Sequence, residues 1–148
     1  MPDLTRHTVE KIGGTSMSRM TELLDNVLIA GLDGSDLYGR MFVVSAYGGI
    51  TDLLLEDKRT GAPGVFAHYH EEGPAQPDDG WQAALETVHA RMLELNRRAL
   101  PDTRDRLQAD TFMGTRIADV RRWLSDLRRL CASGHFQLTA HLDTVREM

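Results

Sequence analysis

An α/β fold is predicted for this 148-residue chain from three features of its sequence. Residues 7–12 (His-Thr-Val-Glu-Lys-Ile) alternate in polarity, include β-branched members and end on two glycines, which reads as a strand running into a turn. Residues 41–46 (Met-Phe-Val-Val-Ser-Ala) form a continuous apolar run ending in a small polar residue, the pattern of a strand buried on both faces of a parallel sheet. Between them lies a segment of helical periodicity, so the order strand, helix, strand predicts a βαβ unit.

The elements follow in order. Gly13-Gly14-Thr15-Ser16 is a turn whose hydroxyl residues suit helix N-caps. Met20, Leu23, Leu24, Val27 and Leu28 fall at helical spacing, which predicts a helix over 17–30 with Gly31 as its C-cap. Asp33-Gly34-Ser35-Asp36 is a loop before the second strand. Tyr47-Gly48-Gly49 is a second glycine turn, and a short helix is expected over 50–57. Residues 61–80 hold four glycines, three prolines and several acids, which predicts a flexible loop or insert. Beyond it the chain reads as helical. Trp81, Leu85, Val88, Met92, Leu95 and Ala99 mark one stripe, and Met113, Ile117, Val120, Leu124, Leu127 and Leu130 a second. Pro101-Asp102-Thr103 separates the two and supplies a cap. After Ser133-Gly134 a third helix is expected to begin near His135 and still to be running at Met148.

Composition bounds the function classes. The chain is 41% hydrophobic and 26% charged, which argues against wholesale disorder and suits one core. Its longest apolar stretches are too short to cross a bilayer, and the polar start (Met-Pro-Asp-Leu-Thr-Arg) is unlike a signal peptide. Cys131 is the single cysteine, so no internal disulfide or cysteine metal motif is available. Together these features suit a cytoplasmic protein without a membrane partner. Charge is segmented: residues 1–90 carry 6 basic and 14 acidic groups, whereas 91–130 carry 10 arginines against 6 acids. Those arginines alternate with Asp102, Asp105, Asp110, Asp119 and Asp126, which favours solvated helix faces with local ion pairs over a nucleic-acid surface. Among 17 basic residues only Lys11 and Lys58 are lysines. Where arginine is the default cation, a lysine at a motif position points to a need for a compact ammonium.

The segment Lys11-Ile12-Gly13-Gly14-Thr15-Ser16 is the strongest candidate for chemistry. Two glycines allow the backbone to approach an anion, amides at the helix start can point at it, and Lys11 can neutralise charge on a transferring phosphoryl group. The pattern is neither a Walker A loop nor the dinucleotide fingerprint. A plain glycine turn with a helix cap is the alternative. The second glycine turn, Ser45-Ala46-Tyr47-Gly48-Gly49-Ile50-Thr51-Asp52, also follows a predicted strand. In a parallel sheet both turns emerge at the carboxyl edge, where ligands bind in open α/β folds. Elsewhere, His68-Tyr69-His70-Glu71 could offer a metal an alternating histidine pair, but a solvated loop fits it better. His89, His135 and His141 read as surface or packing residues, Cys131 as core, and Trp81 and Trp123 as helix-packing anchors.

Residues 9–17 (Val-Glu-Lys-Ile-Gly-Gly-Thr-Ser-Met) resemble the amino-terminal signature of aspartate kinases, usually Lys-Phe-Gly-Gly-Thr-Ser. Residues 43–54 (Val-Val-Ser-Ala-Tyr-Gly-Gly-Ile-Thr-Asp-Leu-Leu) resemble their second motif. The resemblance implies a carbamate kinase-like amino acid kinase fold, a three-layer αβα sandwich with an inserted helical hairpin. This chain would be its amino-terminal part: a βαβ unit over 1–60, the loop over 61–80 and a helical segment over 81–148. It also implies ATP-dependent phosphorylation of the L-aspartate β-carboxylate to 4-phospho-L-aspartate, with Mg2+ accompanying ATP and no ligand residue assignable to the metal. By the same resemblance Lys11 would stabilise the transferring phosphoryl group and Gly13, Gly14, Thr15 and Ser16 would line the phosphates. Ser45 and Thr51 would face the amino acid. Leu37-Tyr38-Gly39-Arg40-Met41-Phe42, with Tyr47-Gly48-Gly49, further resembles the branch associated with ectoine synthesis.

The sequence departs from that family in two ways. Ile12 replaces the common Phe, an apolar exchange that leaves the chemistry alone. The family's Gly-Glu motif, its later substrate-arginine region, the nucleotide-base half and the regulatory domains have no counterpart here, and Glu147 is not given the missing glutamate's role. The chain alone is therefore expected to turn over little or no substrate. Alternatives are a truncated product, a half that needs a partner lobe or homo-oligomer, and a glutamate or UMP kinase of the same fold.

Overall fold

The computed structural model describes residues 7–32, 34, 38–71, 79–134 and 142–147. The fold is α/β, with a small parallel sheet and much helix, and the chain divides into two compact units, Met1–Gly49 and Ile50–Met148. In the first unit, strands β1 (Thr8–Ile12) and β2 (Arg40–Val44) pair in parallel, with Thr8 opposite Arg40 and Ile12 opposite Val44. Helices α1 (Gly14–Met17) and α2 (Met20–Leu23) and a π-helical turn, Leu24–Leu28, connect them. The βαβ unit expected from the spacing is thus present.

The connecting helix is not the continuous one expected over 17–30. It breaks at Ser18-Arg19, where Arg19 takes φ −117° and ψ 51°. Ser18 donates its hydroxyl hydrogen to the Gly14 carbonyl 3.1 Å away, a back-bond of the kind that competes with and bends helices. The π-helical turn ends at Leu28 with Ile29 as its C-cap, so Gly31 is not the cap expected; Ala30 and Gly31, just beyond, adopt positive φ, 37° and 70°.

Alternation gives the two strands distinct faces. Ile12 and Phe42 point toward the helices and join Met17, Leu23, Met20, Leu28 and Tyr47 in a small apolar core. Val9, Met41 and Val43 share the other face with Lys11, and each of the three apolar residues is more than half exposed, as is Val44 at the strand end. The expectation that β2 is buried on both faces therefore fails within this unit, because helices cover only one side of the two-stranded sheet.

Arg40 anchors the opposite end of the unit. Its Nε and Nη2 donate to the two carboxylate oxygens of Glu10 at 2.7 Å each, a bidentate pair. Nη1 and Nη2 also donate to the carbonyls of Leu28 and Val27 at 2.7 and 3.0 Å, satisfying acceptors that a helix end leaves orphaned. The Arg40 hydrogen bond, ahead of the Thr8 hydroxyl and the guanidinium charge, holds the Glu10 carboxyl below its ordinary value of 4.5. A depressed folded-state value favours the ionised form in the native state. Its stabilisation is complete above the unfolded value and is lost as pH falls through the folded one. Thermal melts of the native chain and Glu10→Gln should therefore differ at pH 7 and converge as pH drops below 4.5. A gap that stays constant with pH would exclude this role.

The second unit comprises α3 (Ile50–Leu54), α4 (Val65–Glu71), α5 (Asp79–Ala99), α6 (Thr103–Ala132) and α7 (Leu142–Glu147). Helices α5 and α6 form the expected hairpin: Asn96 donates to Asp110 at 2.9 Å near the connection, and Arg121 bonds Glu86 farther along. Asp102 caps α6 as its sequence predicts, accepting from the amides of Arg104 at 2.7 Å and Asp105 at 3.1 Å. The core contains Val65, Tyr69, Trp81, Leu85, Val88, Ile117, Leu124 and Val145. Cys131 is buried, as expected, whereas Trp123 and Leu130 are exposed despite their places among the apolar residues of α6.

Three expectations need correction here. The short helix over 50–57 ends at Leu54, and a turn follows in which Asp57 accepts from the amides of Arg59 and Thr60. Residues 65–71 of the expected 61–80 loop form α4; Val65, Phe66 and Tyr69 lie one and four residues apart and pack on the core, while Pro63 and Gly64 precede the helix. The histidine pair accordingly lies on a helix, where His68 and His70, two residues apart, diverge and His70 stacks on Phe66 at 6.5 Å. Residues 72–78 of that segment, and the expected helix start near His135, lie outside the described residues. Among the described residues no helix is long and apolar enough to cross a membrane.

Arg97, Arg98, Arg116, Arg122 and Arg129 pair with acids one turn away on their own helix, as the alternation with acids predicts. Arg128 differs. It is buried, its guanidinium lies 4.9 Å from the Tyr69 ring centroid and 5.9 Å from that of Trp81, and it donates to the Tyr69 carbonyl.

Candidate phosphate-binding site

The site is built where β1 and β2 end. Parallel pairing sends both strands out at the same edge, so the turn after Ile12 and the turn after Val44 are neighbours. The Ser45 amide donates to the Ile12 carbonyl at 3.0 Å, extending the ladder by one step and setting Ser45 beside the first turn. Ser45 is exposed there.

Gly13 precedes α1 with φ −77° and ψ 163° and offers no side-chain cap. The first intrahelical bond runs from the Met17 amide to the Gly13 carbonyl at 3.0 Å. Helix geometry thus leaves the amides of Gly14, Thr15 and Ser16 without an acceptor inside α1. Thr15 is exposed, and Ser16, half-buried, lines a shallow depression of about 200 Å³ with Arg19, Glu22 and Asn26.

The two glycines of the first turn differ in why they are small. A Cβ at Gly13 would meet nothing within 4 Å, and its φ suits any residue, so the fold itself makes no demand for glycine there. A Cβ at Gly14 would lie 3.0 Å from the Ala46 carbonyl oxygen, so close approach of the second turn requires it. In the second turn Gly49 has φ +84°, a conformation that favours glycine.

Lys11 is exposed on the sheet face it shares with Val9, Met41 and Val43, directly paired with Val43. Among the described residues no carboxylate pairs with its ammonium. Thr51 falls in the second unit, in the first turn of α3, where it lines an apolar cavity of about 430 Å³ with Ile50, Leu54 and Leu55. The structure therefore brings Lys11, Gly13, Gly14, Thr15, Ser16 and Ser45 to one edge of one unit; Thr51 belongs to the other.

One residue of this edge escaped the sequence reading. Ser18 accepts a hydrogen bond from the Gly48 amide at 2.8 Å across the two turns. Its only signal in the sequence is a serine four residues after Gly14, the spacing of a back-bond.

Over 142 residues the chain is 50% identical to the aspartate kinase Ask_Ect of Stutzerimonas stutzeri (strain A1501), an alignment covering 96% of this chain and 29% of that protein. The chain is thus similar to part of that aspartate kinase. It spans under a third of the length of that curated relative. No family model matches the chain, and no solved structure matches it. Among the described residues no group of three or more His, Cys, Asp or Glu side chains is placed to hold a metal ion.

Proposed function

We propose that this chain is the amino-terminal part of an aspartate kinase catalytic domain and supplies its phosphate edge. The reading is carried by the junction of two glycine turns at the ends of paired parallel strands, with Lys11 on the strand that enters the first. In this reading a β-carboxylate oxygen of L-aspartate attacks the γ-phosphorus of ATP. The bond from phosphorus to the bridging oxygen breaks, ADP leaves with the electron pair, and 4-phospho-L-aspartate forms. Such a transfer depends on positioning and on stabilising charge on the phosphoryl oxygens. Lys11 supplies a positive charge, and the amides of Gly14, Thr15 and Ser16 supply donors; the open space beside Gly13 leaves room for phosphate oxygens. Ser45 presents its hydroxyl to the amino acid, and the role of Thr51 rests on the motif resemblance alone. Magnesium enters bound to ATP, and no residue here is assigned to it.

The exposed apolar face of Val9, Met41 and Val43 supports the three-layer amino acid kinase sandwich, in which a second helical layer covers that side of the sheet. The test is a hybrid in which residues 1–148 replace the matched portion of the Stutzerimonas kinase. Aspartate-dependent ADP release by the hybrid, with little or none from the 148-residue chain alone, is the expected result. Preference of the hybrid for glutamate or UMP, or a folded hybrid without aspartate-dependent turnover, would refute the reading.

A further inference from the structure

Two turns are held at backbone contact by the Ser18 hydroxyl, 30 residues from Gly48, together with one direct backbone bond. Ser18 donates to the Gly14 carbonyl at 3.1 Å and accepts from the Gly48 amide at 2.8 Å. The same Gly14 carbonyl accepts from the Ser18 and Gly48 amides, each at 3.1 Å. Three donors from both turns therefore converge on one peptide oxygen and fix the plane of the Gly14 peptide, next to the amides read as phosphate donors.

Both glycines at the junction are required by this closeness. A Cβ on Gly48 would lie 2.8 Å from Ser18 Oγ and 3.3 Å from the Gly14 oxygen, and one on Gly14 would lie 3.0 Å from the Ala46 oxygen. With no side chains between the turns, the Ser18 hydroxyl and the bond from the Gly48 amide to the Gly14 carbonyl join them, and only the first is a side-chain contribution. Alanine at position 18 would keep the helical break's backbone but remove both bonds of the hydroxyl. Threonine would keep the hydroxyl.

We propose that Ser18 is a positioning residue that locks the first glycine turn to the second, so that the groups holding phosphate and those holding the acceptor keep one fixed separation. It touches neither substrate; it acts through Gly14 and Gly48. The proposal rests on reading the two turns as one kinase site, but the lock itself is measurable without turnover.

The experiment has two arms. In the 148-residue chain, amide hydrogen exchange at Gly48 should run about fivefold faster in Ser18→Ala, with the β1 and β2 amides unchanged and Ser18→Thr behaving as the native chain. In the hybrid kinase, Ser18→Ala should lower kcat about tenfold with KM for ATP within about twofold, and Ser18→Thr should restore kcat. Unchanged Gly48 exchange in Ser18→Ala overturns the lock. Faster exchange with unaltered kcat overturns its positioning role. A native hybrid without turnover refutes the functional reading instead, and leaves the Gly48 exchange to decide the lock.

Discussion

Trp81→Ala is expected to cost about 3–5 kcal/mol of folding stability, the range for emptying a fully buried large aromatic site. Trp81 is wholly inaccessible, as are Tyr69 and Leu85 beside it. The Tyr69 ring meets it edge-on, centroids 5.7 Å apart at 84°, and Arg128 lies against the same pair. Three helices meet through these side chains: α4 through Tyr69, α5 through Trp81 and α6 through Arg128. The Tyr69 hydroxyl also donates to the Leu124 carbonyl at 3.0 Å, so a collapsed cavity would strain a buried hydrogen bond. Trp81→Phe keeps most of the volume and should lose far less. Urea unfolding followed by circular dichroism gives the free energies, and in the alanine variant Trp123, then the single tryptophan, reports locally. A loss under about 1 kcal/mol would mean that the Trp81 site can close without cost.

What could be read from the sequence at each place depended on whether local pattern and tertiary demand agreed. The strand ends and both glycine turns were legible because polarity alternation stops where the glycines begin, and because the chain order forces a parallel crossover. Asp102 was legible as a cap because its role is fulfilled within three residues. Helix α4 was hidden: prolines and glycines around 61–80 outweigh three apolar residues whose burial depends on helices arriving later in the chain. Arg128 was hidden for a related reason, since its alternation with acids resembles a solvated face, and only the aromatic pair from α4 and α5 gives its guanidinium a buried partner. The break at Ser18 depends on a hydroxyl choosing a carbonyl over water, which periodicity cannot express. Nor does proximity along the chain place Thr51: it stands six residues from Ser45, yet falls in the second unit.

Lys11→Ala in the hybrid kinase should lower kcat about 10²–10³-fold, the scale for removing one preorganised charge from developing phosphoryl charge. Lys11 is one of two lysines among 17 basic residues, so a control is built into the sequence. Lys58 is also exposed, but it sits in the turn after α3, away from the glycine turns in sequence and in the other unit. Lys58→Ala should leave turnover within about twofold, the size of a distant surface change. The face on which Lys11 stands explains why its charge should matter. Its neighbours there are Val9, Met41 and Val43, and no described carboxylate neutralises it. An ammonium with no carboxylate partner keeps its full charge for a phosphoryl group brought beside it. Lys11→Arg keeps the charge but replaces a compact head with a wide planar fork, and should recover only part of the loss. Equal effects of Lys11→Ala and Lys58→Ala would remove Lys11 from the chemistry. Full activity in Lys11→Arg would show that charge alone, without the ammonium's compact geometry, satisfies the site.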